Sequence, residues 1–441
     1  MDYKNKIISV QQALKLVKTG DVIVSGMMAN EGRMFLSHLH EIDKAITDIT
    51  VTNCLPIVDA KFFTDESYAD RFLTDSWFYS GSLRKATGSG AVSYIPNHLS
   101  QAGTRRLDAV KPNIFVGAAT LPDKHGFMSL SLSNVYEKRM LMAADTVILE
   151  INPKFPRTFG DLEVHLNDVD YLIEADYDVP ELPDGVIEEK DEIIGKHIAE
   201  LINDGDCLQL GIGGIPNAVA NALIGKKDLG VHTEMLTTGF MKLFNVGAIT
   251  NKKKKLYPGK MVCCFAFGTK ELYDFIDNNT GVMILDGNYV NDPYVISQND
   301  NQVSINSTIE VDLTGQCCSE SIGTRHFSGT GGQVDTATGA QRSKGGRSFI
   351  ALYSTALVKN PITGAREEVS KIVTTLKPGA AVTLSRNDVD YIVTEYGAVR
   401  LRGLDIFERV EKMISIAHPK FREQLYQEAI AAGIYHARHR K

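Results

Sequence analysis

One pattern occurs twice along this chain, and it constrains the fold more than any other feature. From Val10 to Val17 apolar residues recur at helical spacing. A Gly20-Asp21 turn follows, and Val22-Ile23-Val24-Ser25 continues as a short apolar strand that stops at Gly26. From Ile194 the same order returns: a helical stretch to Ile202, Gly205-Asp206, the strand-like Cys207-Leu208-Gln209-Leu210, and Gly211. Glycine takes the left-handed backbone conformation that other residues resist, so each Gly-Asp pair reads as a helix stop. Two such units predict two related α/β halves, each with its own sheet. A chain of 441 residues is in any case too long for one compact core. Between the units, Tyr177-Asp178-Val179-Pro180-Glu181-Leu182-Pro183-Asp184-Gly185 has the prolines, glycine and acids of a linker. The halves are expected at 1–186 and 187–441.

Within each half, short apolar runs alternate with helix-like stretches. Residues 113–119 and 146–151 are such runs in the first half, and 281–285 and 391–395 in the second. This alternation predicts an α/β fold of two open, mostly parallel sheets flanked by helices. Ligands in such folds bind at the carboxyl ends of strands, where strand order reverses.

Several function classes lose their best signals. The net charge of −7 argues against a broad nucleic-acid surface. The one basic run, Lys252-Lys253-Lys254-Lys255, has no interleaved aromatics and reads as a solvated turn. No apolar stretch follows the N-terminus as in a secretory signal, and none is long enough to span a bilayer. Six cysteines, Cys54, Cys207, Cys263, Cys264, Cys317 and Cys318, show no C-x-x-C spacing. They read as small buried hydrophobes in a reducing cytoplasm. No H-E-x-x-H, G-x-S-x-G or P-loop is present, so no metal site is expected.

What remains points to an anion and a carboxylate. After the Leu208-Gln209-Leu210 strand comes Gly211-Ile212-Gly213-Gly214-Ile215-Pro216-Asn217, a turn whose backbone N–H groups can face an anion. It fails the dinucleotide fingerprint, because the third glycine would fall at Pro216. Glu234 follows in His232-Thr233-Glu234-Met235. A carboxylate near such a turn suits acyl transfer, although a surface glutamate gives the same local pattern. A second glycine-rich stretch, Ser328-Gly329-Thr330-Gly331-Gly332, can supply further N–H donors or be a plain loop. Downstream, Arg342, Lys344 and Arg347 would suit a polyphosphate. Asn288, Asn291 and Asn306 are candidates to orient Glu234 or hold a substrate carboxylate, or are turn caps. Glu395, at a strand end, is a functional acid or an ion-pair partner of Arg400 or Arg402.

Taken together, these segments resemble the coenzyme A transferase family, in its acetyl-CoA hydrolase/transferase group. Within that group they resemble the butyrate:acetate and 4-hydroxybutyrate CoA-transferases. The likeness rests on residues 208–219, 232–235, 268–275, 305–307, 327–335, 394–397 and 416–419, with 156–161 in the first half, and so covers nearly the whole chain in order. The resemblance implies CoA transfer between a short-chain acyl-CoA and a small carboxylate such as acetate, through a glutamyl-CoA thioester on Glu234. Hydrolysis of the acyl-CoA on the same scaffold is the alternative. It implies that Gly211, Ile212, Gly213, Gly214, Ile215, Ser328, Gly331 and Gly332 bind CoA, and that N–H groups at Ile215 and Gly332 hold the oxyanion. Asn306 and Glu395 would support the glutamate as catalytic residues. No permanent cofactor, nucleic acid or membrane is implied; CoA is a substrate, and the chain is expected to form a homo-oligomer. The Gly26-Met27-Met28-Ala29-Asn30-Glu31 segment departs from the family pattern and is expected to face the acyl pocket.

Overall fold

Each repeated unit folds as its sequence predicts and starts a sheet. The computed structural model describes residues 3–360 and 363–439. In the first unit a helix over Val10–Leu14 leads through Gly20, at φ 85°, into the strand Val22–Ser25. In the second a helix over Glu189–Ala199 leads through Gly205, at φ 83°, into Cys207–Leu210. Both helices stop earlier than the apolar periodicity suggests. Their last N–H groups turn to carbonyls three residues back, Leu16 to Ala13 and Leu201 to Ile198, which tightens the final turn.

The first sheet has seven parallel strands in the order Val92–Tyr94, Phe72–Ser76, Ile49–Asn53, Val22–Ser25, Ile114–Ala119, Thr146–Ile151, Tyr171–Glu174. The second has six: Gly230–Val231, Cys207–Leu210, Gln302–Ser307, Arg347–Ala351, Tyr391–Thr394 and the antiparallel Gly397–Arg400. In both, the strand of the repeated unit comes first in the chain, with the next strand on one side and a later one on the other. Its carboxyl end is therefore a switch point, which places the binding crevice beside Gly26 and Gly211.

The two sheets do not have separate cores. One apolar cluster runs from Val24, Phe115 and Leu149 to Leu208, Val231, Phe349 and Val393. Two further clusters cover the outer faces, around Phe35, Val51 and Phe72 in the first half and Ile350, Ile392 and Met413 in the second. Short parallel ladders, Met235–Leu236 with Phe265–Ala266 and Met261–Cys263 with Val282–Ile284, carry the second half toward the first. There Ser133 bridges to Phe265, and Gly160 to Ile284. A side chain at Gly160 would meet the Ile284 carbonyl oxygen at 1.9 Å, so only glycine lets these backbones touch. Residues 175–188, which contain the expected boundary, carry no regular structure.

The tetralysine run is not the solvated turn expected of it. Lys252, Lys253 and Lys255 are exposed, but Lys254 is buried. Its ammonium donates to the carbonyls of Val231 and Lys260, and burial lowers its pKa to about 8. One carbonyl ends the strand Gly230–Val231 and the other just precedes the strand Met261–Cys263; both need a donor, and a long side chain reaches them. The six cysteines are buried and free. No helix among the described residues is long and apolar enough to cross a membrane.

Candidate active site

Glu234 sits where the second half leans on the first. The chain leaves the Gly230–Val231 strand with His232 N–H bonded to Leu208 O at 3.1 Å and Thr233 N–H to Val262 O at 3.0 Å. The Glu234 carbonyl then accepts from Cys264 N–H at 3.0 Å and Phe265 N–H at 3.2 Å. With its backbone held on both sides, Glu234 presents its carboxylate to a cavity of about 240 Å3. Asn291 Nδ2 donates to Glu234 Oε2 at 2.8 Å. Burial pushes the Glu234 carboxyl up to about 7, while the Asn291 amide and the Gly332 N–H favour its ionised form.

Both glycine segments reach this cavity, by different means. Gly211 and Ile212 line it at the end of the Cys207–Leu210 strand, and Ile212 is 47% exposed. Gly213, at φ 114°, then lets the chain turn sharply into the helix Gly214–Ala222. Ile215 lies behind the turn and lines a neighbouring cavity instead. The second segment is closed in. Ser328, Gly331 and Gly332 all line the same cavity as Glu234. A Cβ at Gly332 would lie 1.8 Å from Glu234 Oε2 and 2.2 Å from Asn291 Nδ2, so the close approach of backbone to carboxylate requires glycine.

The first half holds that second segment in place. Tyr79 N–H donates to Ser328 O at 2.9 Å, and Leu99 N–H to Gly331 O at 3.0 Å. Thr330 N–H donates to Tyr94 Oη at 3.0 Å. Asp335, one turn into the helix behind Gly332, accepts from Ser100 N–H and Ser100 Oγ, each at 2.9 Å. Met27, Cys54, Leu55, Phe78 and Leu99 of the first half form the apolar wall facing Glu234. The segment containing Met27 was expected to face the acyl group, and Met27 lies on this wall. The other four follow carboxyl ends of first-half strands or sit in loops beside them, and only the general rule for parallel sheets pointed to them.

The remaining candidates separate. Asn306 lines the cavity, but its amide is bonded to Gln209 Oε1 at 3.4 Å, Ser304 Oγ at 3.0 Å and Thr336 Oγ1 at 3.0 Å. Asn291, not Asn306, is the asparagine that touches Glu234. Asn288 donates to Thr104 Oγ1 at 3.4 Å. Glu395 is bonded to Ser354 N–H and Oγ, each at 2.8 Å, and pairs with Lys190 at 3.2 Å. Arg347 does not offer a polyphosphate site: its guanidinium pairs with the buried Asp206. The helix Gln333–Arg342 also carries Arg342 about 15 Å from the glycine segment. Among the described residues no group of three or more His, Cys, Asp or Glu side chains is placed to hold a metal ion.

Residues 1–183 match the acetyl-CoA hydrolase/transferase N-terminal domain, and residues 268–429 the C-terminal domain of the same family. The chain is 41% identical to the succinyl-CoA:cyclohexane-1-carboxylate CoA transferase of Geobacter metallireducens, over 97% of this chain and 96% of that one. It is 40% identical to the 4-hydroxybutyrate coenzyme A transferase of Clostridium kluyveri, over 97% of each. The crystal structure of RipA from Yersinia pestis superposes with a TM-score of 0.89 at 34% identity, over 98% of each chain. The chain belongs to the acetyl-CoA hydrolase/transferase family.

Proposed function

We propose that this CoA-transferase moves CoA between a short-chain acyl-CoA, such as butyryl-CoA or 4-hydroxybutyryl-CoA, and a small carboxylate such as acetate, with Glu234 as the nucleophile. The observation that carries this reading is the Glu234 carboxylate, pressed between the Asn291 amide and the Gly332 backbone at the end of an apolar cavity. A Glu234 oxygen attacks the thioester carbonyl, the C–S bond breaks, and CoA leaves as thiolate from an acyl-glutamyl anhydride. The thiolate attacks the glutamyl carbonyl, expelling the first acid as carboxylate and leaving a glutamyl-CoA thioester. The second carboxylate runs the same steps in reverse.

Each part of the site has work in this scheme. A carboxylate is a weak nucleophile toward a thioester, so binding of the remote CoA arm must be used at the reacting centre. The Gly332 N–H is positioned to stabilise the oxyanion that forms beside Glu234. The anhydride hydrolyses readily, and the wall of Met27, Leu55, Phe78 and Leu99 keeps water away from it. Asn306 acts through the wall of the cavity, which it lines, rather than by contact with Glu234, whereas Glu395 is held by Ser354 and Lys190 away from that lining. CoA enters and leaves as a substrate, and nothing in the scheme needs a resident cofactor.

The test is to incubate the protein with butyryl-CoA alone and look by mass spectrometry for CoA attached at Glu234, then to add acetate and watch the adduct discharge. Absence of an adduct under borohydride or hydroxylamine trapping, with Glu234→Ala still fully active, would sink the mechanism. Loss of butyryl-CoA without acetate, at a rate comparable to transfer, would mark the protein as a hydrolase.

A further inference from the structure

Behind the 211–215 turn lies a second cavity, of about 220 Å3. Ile212 and Ser307 line both this cavity and the catalytic one, so the turn is the wall between them. Its floor holds a cation. Lys371 stands just before the strand Ile372–Val373, with its N–H bonded to Ser354 O at 2.9 Å and its carbonyl accepting from Val311 N–H at 3.0 Å. That backbone grip leaves the side chain lining the cavity.

Every acid near Lys371 is already served by another group. Glu395 accepts from Ser354 and pairs with Lys190 at 3.2 Å. Glu310 lies 3.9 Å from Lys377. Asp191 accepts from Tyr353 Oη at 2.8 Å and from Glu188 N–H at 3.0 Å. Among the described residues none of these carboxylates lies within ion-pair distance of the Lys371 ammonium, which feels Glu395 and Glu310 only through space. A largely buried amine without a bonded partner is costly, and burial already lowers its pKa to about 8. Placed in a cleft next to a reacting carboxylate, such a group is a binding site awaiting its anion. A third cavity, also against Ile212, is lined on its other side by the acidic linker residue Asp184 and lacks any such cation.

We propose that the Lys371 cavity takes a phosphate of the CoA arm, with Lys371 Nζ donating to a phosphate oxygen while the thioester end reaches Glu234 past Ile212. This rests on the CoA-transferase reading and extends it to the far end of the same substrate. The turn at 211–215 then separates two chemistries, an apolar acyl end in front and a charged phosphate end behind.

Butyryl-CoA, butyryl-dephospho-CoA and butyryl-pantetheine are compared as donors to acetate, with wild type, Lys371→Met and Lys371→Arg. Losing one charge-assisted hydrogen bond raises KM for butyryl-CoA by about 10- to 100-fold in Lys371→Met. KM for butyryl-pantetheine, which has no phosphate, stays within about twofold, and Lys371→Arg recovers most of the loss. The dephospho donor following butyryl-CoA assigns the contact to the diphosphate; its following butyryl-pantetheine assigns it to the 3′-phosphate. Equal loss on butyryl-CoA and butyryl-pantetheine, or no loss on either, overturns the site. If wild type transfers CoA while these ratios stay flat, only the Lys371 assignment falls; if wild type transfers from no donor, the Glu234 reading falls with it.

Discussion

Asp21 accepts from the Lys18 N–H at 2.7 Å, and Asp206 accepts from the Asn203 N–H at 2.7 Å. Gly20 N–H reaches Thr47 O at 3.1 Å where Gly205 N–H reaches Lys227 O at 2.9 Å, and Thr50 N–H bonds to Asp21 O where Gly230 N–H bonds to Asp206 O. Bond for bond, the two repeated units share one frame up to the ends of their strands. There they part. After Ser25 the chain closes into a tight turn over Met28–Asn30, and a side chain at Gly26 would strike the Asn30 carbonyl oxygen at 2.2 Å. After Leu210 it opens into a glycine turn at a cavity mouth. The frame is common property of both halves; the loops divide the labour, with the first half shaping a wall and the second supplying Glu234, the proposed nucleophile.

Five substitutions test that division. The largest effect is expected at Gly332→Ala. The new methyl group would occupy the place of Glu234 Oε2, displacing the carboxylate and the N–H together, and kcat should fall by at least about 10²- to 10³-fold. A stopped-flow assay with butyryl-CoA and acetate measures it, and near-normal kcat would mean that the second segment is not part of the reacting centre.

Asn291→Ala comes next and is read in pH. In the proposed mechanism only ionised Glu234 attacks, so with a pKa of about 7 kcat/KM should rise from about one-tenth of its plateau at pH 6 to half near pH 7. The Asn291 amide favours the ionised form, so its removal should carry the midpoint upward and cost most activity at the acid end. An unmoved profile would show that a group other than Glu234 titrates.

Met27→Ala, a change in the first half, should leave Glu234 chemistry intact and relax the choice of acyl chain. Each methylene accommodated or refused is worth about 10-fold or somewhat more in kcat/KM. Comparing acetyl-, butyryl- and hexanoyl-CoA measures the shift; identical ratios before and after would take Met27 out of the acyl wall. The smallest effect belongs to the frame. Gly20→Ala and Gly205→Ala each force a left-handed backbone on alanine, at about 1–2 kcal/mol of stability. Urea melts should show a loss at each with kcat unchanged, slightly larger at Gly205, where the new methyl must push aside the exposed Lys253 side chain, and no loss at either would mean that the left-handed turns are not part of the frame.

The sequence was most legible where local rules act. The left-handed turns at Gly20 and Gly205, the strands after them, and the glycine turn at 211–215 all follow from spacing and backbone preference, although both helices end several residues before those glycines. Legibility ended where partners come from distant elements. Asn291 caps the short helix Gly287–Val290, and nothing local distinguishes it from Asn306, whose amide is taken up by its own sheet and by Thr336 of the helix Gln333–Arg342. Arg347 looked like a phosphate ligand because Asp206, its partner from the repeated unit, is far away in sequence. Lys254 looked solvated because the run around it is, while the carbonyls of Val231 and Lys260 draw that one side chain inward.

The apolar cluster that ignores the boundary between halves has a consequence for what the covalent chain is needed for. Residues 175–188 carry no regular structure, and Val186 is 88% exposed. A protease cut near Val186 should therefore release nothing: the fragments would remain clasped by their common interior and keep Glu234 facing its wall. Active after nicking, and separable only by denaturant, the protein would behave as two gene products expressed in tandem, for which translation as one piece secures equal numbers rather than assembly.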